Sequence, residues 1–403
     1  MIIKDLNHNS LLNENSKLDL EALNLGSFPK RKEERWKYTP LRFLKKINFH
    51  NQFNFKIEHL NSLGIPKIEG LVIVLENGKF NSSLSNIIDL MDIELLFLND
   101  VDIVNNSQEP SHKDYFTNLN FSFLTEKVVL KIKPNVNINE PINFVNIISD
   151  DNCISNTQFN IDIYESSKLH IRQYFLGSSN SKDGFINHRN QVSLKSQSSL
   201  TIDKFQDLNQ NFNFCNEFID QEQESKFIMN TFSASGIILR NDVFNNVNGK
   251  NCHSELNGVF APVEKQHFDN HTTINHFVAD CKSFENYKGV IKESGVGVFN
   301  GKVIVHKDAQ NIEAFQKNNN ILLDDESKIY SKPELEIYAD DVRCSHGSTT
   351  GRFDEEALFY LRSRGISIKK SLELMTLGFI NEVIEKSNDS AYKEFVLKRL
   401  LKD

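Results

Sequence analysis

The sequence is poor in proline, has a single tryptophan and has no closely spaced cysteines. With 8 Pro against 31 Phe and 39% hydrophobic residues in 403, the composition is that of a globular chain long enough for two or three structural units. Its five cysteines are Cys153, Cys215, Cys252, Cys281 and Cys344, with gaps of 62, 37, 29 and 63 residues. An odd count without CxxC argues against a zinc ribbon or a disulfide framework, and for reduced thiols in the cytoplasm. No apolar run approaches the roughly 18 residues that a membrane span needs. The opening MIIKDLNHNSLLNENSK lacks the cationic start and apolar core of a secretory signal. A net charge of −8 gives no reason to expect nucleic acid or an anionic membrane as partner.

Nucleotide and hydrolase motifs are missing too. Gly295, Gly297 and Gly301-Lys302 resemble a phosphate loop only in composition. Val296 stands where the first glycine belongs, Val303 follows the lysine, and a strand rather than a helix comes next. No G-x-S-x-G elbow occurs. The chain is therefore not expected to bind a nucleotide or to be an enzyme.

What is present divides into three regions. Residues 1–124 read as mixed α/β, with helix-like apolar spacing in 10–26 and 40–64. Trp36 and Tyr38 read as aromatic anchors in a basic segment. A strand over Leu71–Leu75 leads into a hairpin at Asn77-Gly78. Residues 125–348 are almost all strand: VVLKIK, NFVNII, FNIDIY, KLHIRQYF, QVSLKS and SLTIDKF alternate between polar connectors. Inward apolar positions are expected at Leu169, Leu200 and Phe227, spaced 31 and 27. They continue at Phe268, Phe284, Val298, Ile312 and Ile329, spaced 16, 14, 14 and 17. A loose period without helices points to a β-helix-like solenoid, and the scarcity of Asn-Gly and Asp-Gly turns argues against a β-sandwich. Residues 349–403 read as a helical domain. Asp354 caps its first helix, and Ile368, Leu372, Met375, Phe379 and Val383 form an apolar stripe on its second. That stripe serves either internal packing or the docking of another protein.

Two constellations could carry chemistry. Cys344 and His346, two apart on a strand expected to run from Glu334 and to break at Gly347–Gly351, place a thiol and an imidazole on one face. They read as a metal or redox site, or as a buried Cys beside a surface His. Asp340 and Asp341 would raise the thiol pKa and Arg343 would lower it. His267, Asp269 and His271, with His276 beyond, share a strand face. They read as ligands for a divalent metal, or as stacked hydrogen-bonding positions.

The stretch KPELEIYADDVRCSHG followed by STTGRFDEEALFYLRSRGI resembles the C-terminal signature of the SufD branch of the SufB/SufD family, scaffold proteins of the SUF iron–sulfur cluster assembly system. YKGVIKESGVGVFNGKV, AQNIEAFQKNNNILL, the histidine-rich HFDNHTTINH and the element around Trp36 and Tyr38 resemble that family as well. The resemblance implies a right-handed parallel β-helix-like core flanked by an N-terminal α/β region and a C-terminal helical domain. It implies a SufB-like paralogue and a SufC-like ABC-type ATPase as partners, the latter docked on the helical domain where Leu372, Met375 and Phe379 lie. It places a transient cluster at the interface with the paralogue, where His346 matches the family's proposed cluster-site imidazole and Cys344 is its neighbour. A homodimer in isolation is compatible with it, and the involvement of a flavin stays open. Two rival functions are a β-helix carbohydrate-active enzyme, for which a secretion signal is lacking, and a stand-alone metal protein using His267–His276.

Overall fold

The computed structural model describes residues 25, 27–66, 68–88, 91–98, 114–387 and 389–401. At its centre is a β-solenoid of about eight turns. Each turn supplies one strand to each of two sheets. Among the described residues the first sheet has ten strands and runs from the hairpin Val72–Glu76/Lys79–Phe80 to Val342–Gly351. The second has nine and runs from Ile93–Leu98 to Lys328–Ile337. All pairings are parallel except those of Lys79–Phe80 and Ile93–Leu98 at the N-terminal end.

The repeating polar segments are the corners of this coil. Entering successive strands of the first sheet, Ser166, Gln197, Glu224, Asn251, Asp280 and Asn311 all have positive φ. A single left-handed residue redirects the chain in one step, and isolated polar residues accept that conformation. Asn77 and Gly78, with φ of 51° and 85°, form the tight hairpin turn that the sequence announces. Asn257-Gly258 and Asn300-Gly301 instead lie within strands. At Gly258 a Cβ would come within 2.4 Å of the Tyr287 ring, so the missing side chain is what lets that ring sit inside the coil.

Leu169, Leu200 and Phe227 are in register on successive turns and buried in the interior cluster, as their spacing predicts. Phe268 and Ile329 line up on either side of Gly297, whose bare backbone leaves room for Ile329 and Phe260. Two of the inward expectations fail. Phe284 is half-buried on the outer face, its ring centroid 5.7 Å from that of Phe315. Val298 is buried but lies outside the interior cluster. Both outer faces are partly covered by other segments, so apolar residues occur on either side of a strand.

The N-terminal segment covers the second sheet. Spacing in 40–64 suggests helix, but the chain there forms only short 3₁₀ turns at Leu44–Lys46 and Leu60–Leu63. The expectation for 10–26 lies, apart from Leu25, outside the described residues. Trp36, 3% exposed, does anchor the segment: it lies 3.8 Å from the Arg240 guanidinium and packs on Phe116 and Phe214. Phe116 belongs to helix α1, Tyr115–Ser122, which is short and held by an Asp114–Thr117 capping box.

Three helices follow the solenoid. They are α2 (Glu355–Ser363, capped by Asp354), α3 (Ile368–Ile384, capped by Ser367) and α4 (Ser390–Leu400, capped by Asp389). The second half of α3 and all of α4 lie on the outer face of the first sheet. There Ile380, Val383, Tyr392, Phe395 and Val396 pack with Val145, Tyr174, Phe205, Phe232 and Val259. Among the described residues no helix is long and apolar enough to cross a membrane.

Candidate functional site at the open end of the solenoid

The last turn of the coil differs from the strand expected there. The chain forms Lys328–Ile337, turns a corner, and continues as Val342–Gly351. The expected break at Gly347 is absent, because pairing with Ile312–Leu322 carries the strand through to Gly351. The corner is tied down where the Asn311 N–H donates to Asp341 O at 2.6 Å. Among the described residues both last strands have a neighbour on one side only.

The two open edges are not equivalent. Lys328–Ile337 carries Pro333, which has no N–H to offer, and two lysines. Part of it is also shielded: Glu34 bonds Lys332, and Tyr38 stacks on Tyr330 with centroids 4.2 Å apart. Proline and lysine are the usual guards of an exposed edge. Val342–Gly351 has neither, and it bears Cys344 and His346.

Cys344 and His346 share the side of the strand that continues the interior columns. In register, Ser283–Ala314–Cys344 form one column and Leu256–Glu285–Gln316–His346 the next. Cys344 packs partly against the interior cluster, and His346 is exposed. Burial pushes the Cys344 thiol above its usual value, with a backbone hydrogen bond at Ala314 opposing. The balance among Asp340, Asp341 and Arg343 therefore does not decide its state. At neutral pH Cys344 is therefore a thiol.

Beneath this lip the interior turns polar. Gln316 donates to the Glu285 carboxylate, Ser331 Oγ donates to Asn318 Oδ1 at 2.7 Å, and Ser331 and Ser348 hydroxyls lie 2.7 Å apart. Burial raises Glu285 to about 7. Glu285 and Gln316 escape a reading of the sequence because their alignment with His346 depends on register across separate turns.

The histidine constellation takes the hydrogen-bonded arrangement of its two readings. Asp269 accepts from Arg240 Nη1 at 2.6 Å and lies 2.9 Å from His271 Nε2; the Thr39 hydroxyl donates to it as well. Arg240 also donates to Asp242 and to the Arg35 carbonyl. Burial works against the Asp269 carboxylate, but His271 and Arg240 more than offset it and hold its pKa below the usual range. Burial lowers His267 to about 4. His276 points inside the coil, 2.9 Å from Ser283 Oγ. Among the described residues no group of three or more His, Cys, Asp or Glu is arranged to hold a metal ion.

The apolar stripe on α3 serves two purposes. Phe379 belongs to internal packing: its carbonyl accepts from Lys288 Nζ at 2.7 Å and its ring lies under the same ammonium. Leu372 and Met375, nearer the start of the helix, are half-buried. The most exposed apolar residues around them are Phe359 at 73% and Tyr360 at 56%, which the stripe omits, and Ile368, its first member, at 52%. No residue of α2 is buried. The aromatic pair in EEALFYLRSRG, between acidic and basic ends, is the sequence signal for this surface.

Over residues 146–379 the chain matches the family described as SUF system FeS cluster assembly, SufBD core domain. It is 26% identical over 387 residues to the iron–sulfur cluster assembly protein SufD of Escherichia coli, covering 94% of this chain and 90% of that protein. It is 25% identical over 384 residues to an iron–sulfur cluster assembly SufBD family protein of Synechocystis, covering 90% and 85%. A SufBD family protein of Mycobacterium leprae is 35% identical over 164 residues, covering 39% and 42%.

Proposed function

The chain belongs to the SufBD family of SUF-system iron–sulfur cluster assembly proteins and is SufD-like, and from that premise we propose that it is a scaffold subunit whose open solenoid edge pairs with a SufB-like paralogue. The nascent cluster is the cargo of that interface, and His346 with Cys344 is this chain's contribution to holding it. The projecting lobe of α2 and the start of α3 docks an ABC-type ATPase, in which ATP is hydrolysed. One observation carries this reading: the unguarded strand edge of the last turn is the strand that bears Cys344 and His346. One soft and one imidazole ligand are too few to close a cluster site, which usually has about four. A partner strand laid along this edge would bring the others. In isolation the same edge is free to pair with a second copy.

The test is His346→Ala in a complex reconstituted with SufB-like and ATPase partners. Cluster absorbance and iron content should fall sharply, and melting temperature and co-purification should stay nearly unchanged. A structural role would instead cost on the order of 1–3 kcal/mol of stability. Cys344→Ser should have an equal or smaller effect. A normal cluster on His346→Ala refutes the assignment, and loss of cluster through collapse of the complex makes the residue structural.

A further inference from the structure

Four cysteines lie outside the proposed site, and two of them are stacked. A buried column runs along one corner of the coil, through Ser167, Ser198, Ser225, Cys252 and Cys281. Backbone bonds tie its members rung to rung: Lys226 N to Ser198 O at 2.8 Å, His253 N to Ser225 O at 3.0 Å, Lys282 N to Cys252 O at 2.9 Å. Three hydroxyls are thus followed by two thiols on consecutive turns. Adjacent strands lie about 4.8 Å apart, inside the roughly 4.4–6.8 Å between Cα atoms that a disulfide spans. The next residues along, His253 and Lys282, are register partners, which sets Cys252 beside Cys281. The Ser225 hydroxyl lies 3.5 Å from the Cys252 sulfur, Cys252 Sγ 3.0 Å from Glu222 O, and Cys281 Sγ 3.3 Å from Gly249 O.

We propose that Cys252 and Cys281 are a modification site, a dithiol that peroxide oxidises to a rung-to-rung disulfide and that thiols reduce again. The surroundings choose disulfide over metal. The pair supplies only two sulfurs, and among the described residues no further His, Cys, Asp or Glu stands with them to complete a metal's coordination shell. Interaction with the Cys281 thiol lowers Cys252 below the usual thiol value, which makes Cys252 the nucleophile of the pair. Its sulfur attacks one peroxide oxygen, the O–O bond breaks, and a sulfenic acid forms as the other oxygen leaves as water. The Cys281 sulfur then displaces the sulfenic oxygen, which departs as a second water with the thiol proton. Two thiols lose two electrons, and one peroxide becomes two waters. Cys153 and Cys215 are equally buried but have no second thiol in reach, and burial raises both.

The experiment uses the full chain carrying Cys344→Ser, which removes the most exposed thiol and leaves four. After hydrogen peroxide, the protein is denatured and alkylated, its thiols are counted, and its peptides are mapped. The expected result is a fall from four free thiols to two, a linked peptide joining Cys252 to Cys281, and full reversal by dithiothreitol. Adding Cys281→Ser or, separately, Cys252→Ala abolishes the link and leaves Cys153 and Cys215 unmodified. Four free thiols in folded, peroxide-treated protein overturn the proposal. Equal loss at Cys153 and Cys215 also overturns it, because unfolding would then be what exposes the thiols. The mapping on the Cys344→Ser background decides the matter even where the second substitutions fail to fold.

Discussion

Burial keeps His188, His267 and His276 neutral, with pKa values lowered to about 4 against an ordinary value near 6.5. His188 shows how: it sits between the Phe159 and Phe175 rings, and its nitrogens meet Thr157 and Asn190. Below about pH 6.5 the unfolded chain takes up protons at these sites and the folded chain does not, so stability falls as pH falls toward 4. Glu285 works the other way. Its raised pKa lets the folded state bind a proton between about 4.5 and 7 that the unfolded state releases. Three imidazoles against one carboxyl leave a net loss on the order of 5 kcal/mol between pH 6.5 and 4.5. Glu285→Gln removes the opposing group and should steepen the slope by about half. Urea midpoints at pH 4.5, 5.5 and 6.5 test both statements, and a flat profile would show that these imidazoles titrate normally. At this scale the sequence was legible where chemistry is local. Cys344 and His346 stand two apart in a motif, whereas Glu285 acquires its meaning only from the turns stacked around it.

Among the elements, the first C-terminal helix was read closely because its cap, Asp354, is a local signal; in the structure Asp354, Ser367 and Asp389 each bond a backbone N–H in the first turn. Which helix face meets the solenoid is a tertiary matter, and the apolar stripe on α3 did not settle it. Part of α3 anchors while its beginning projects with α2. Removing 354–403 is therefore a poor probe of docking, since it would bare the Tyr174, Phe205 and Phe232 surface that α3 and α4 cover. A finer change suffices. Phe359→Asp, at a side chain 73% exposed, should leave the melting temperature within a degree or two. Binding of the ATPase should weaken at least tenfold by titration calorimetry. Unchanged affinity would move docking away from this lobe.

For the whole molecule, the period of strands and the lack of hairpin turns were enough to indicate a solenoid. Inside and outside were not assignable throughout, as Phe284 and Val298 show, because helices and the N-terminal segment bury apolar residues on the outer faces too. Assembly is tested at Gly347, where an added Cβ would meet nothing within 4 Å. Gly347→Lys should fold with unchanged stability and lose pairing, with the paralogue and with itself, in sedimentation experiments. Retained pairing would rule out this edge as the interface. The antiparallel closure at the other end gives this arrangement a counting rule. A stack of parallel rungs is in principle a polymerising unit, able to add further units at both ends. Here one end reverses direction and, in the first sheet, shrinks to the two-residue strand Lys79–Phe80. On the proposed pairing the solenoid thus has a valence of one: its open edge takes a single partner strand, growth along the coil stops at a pair, and a copy joined to itself is withdrawn from the pool open to the paralogue.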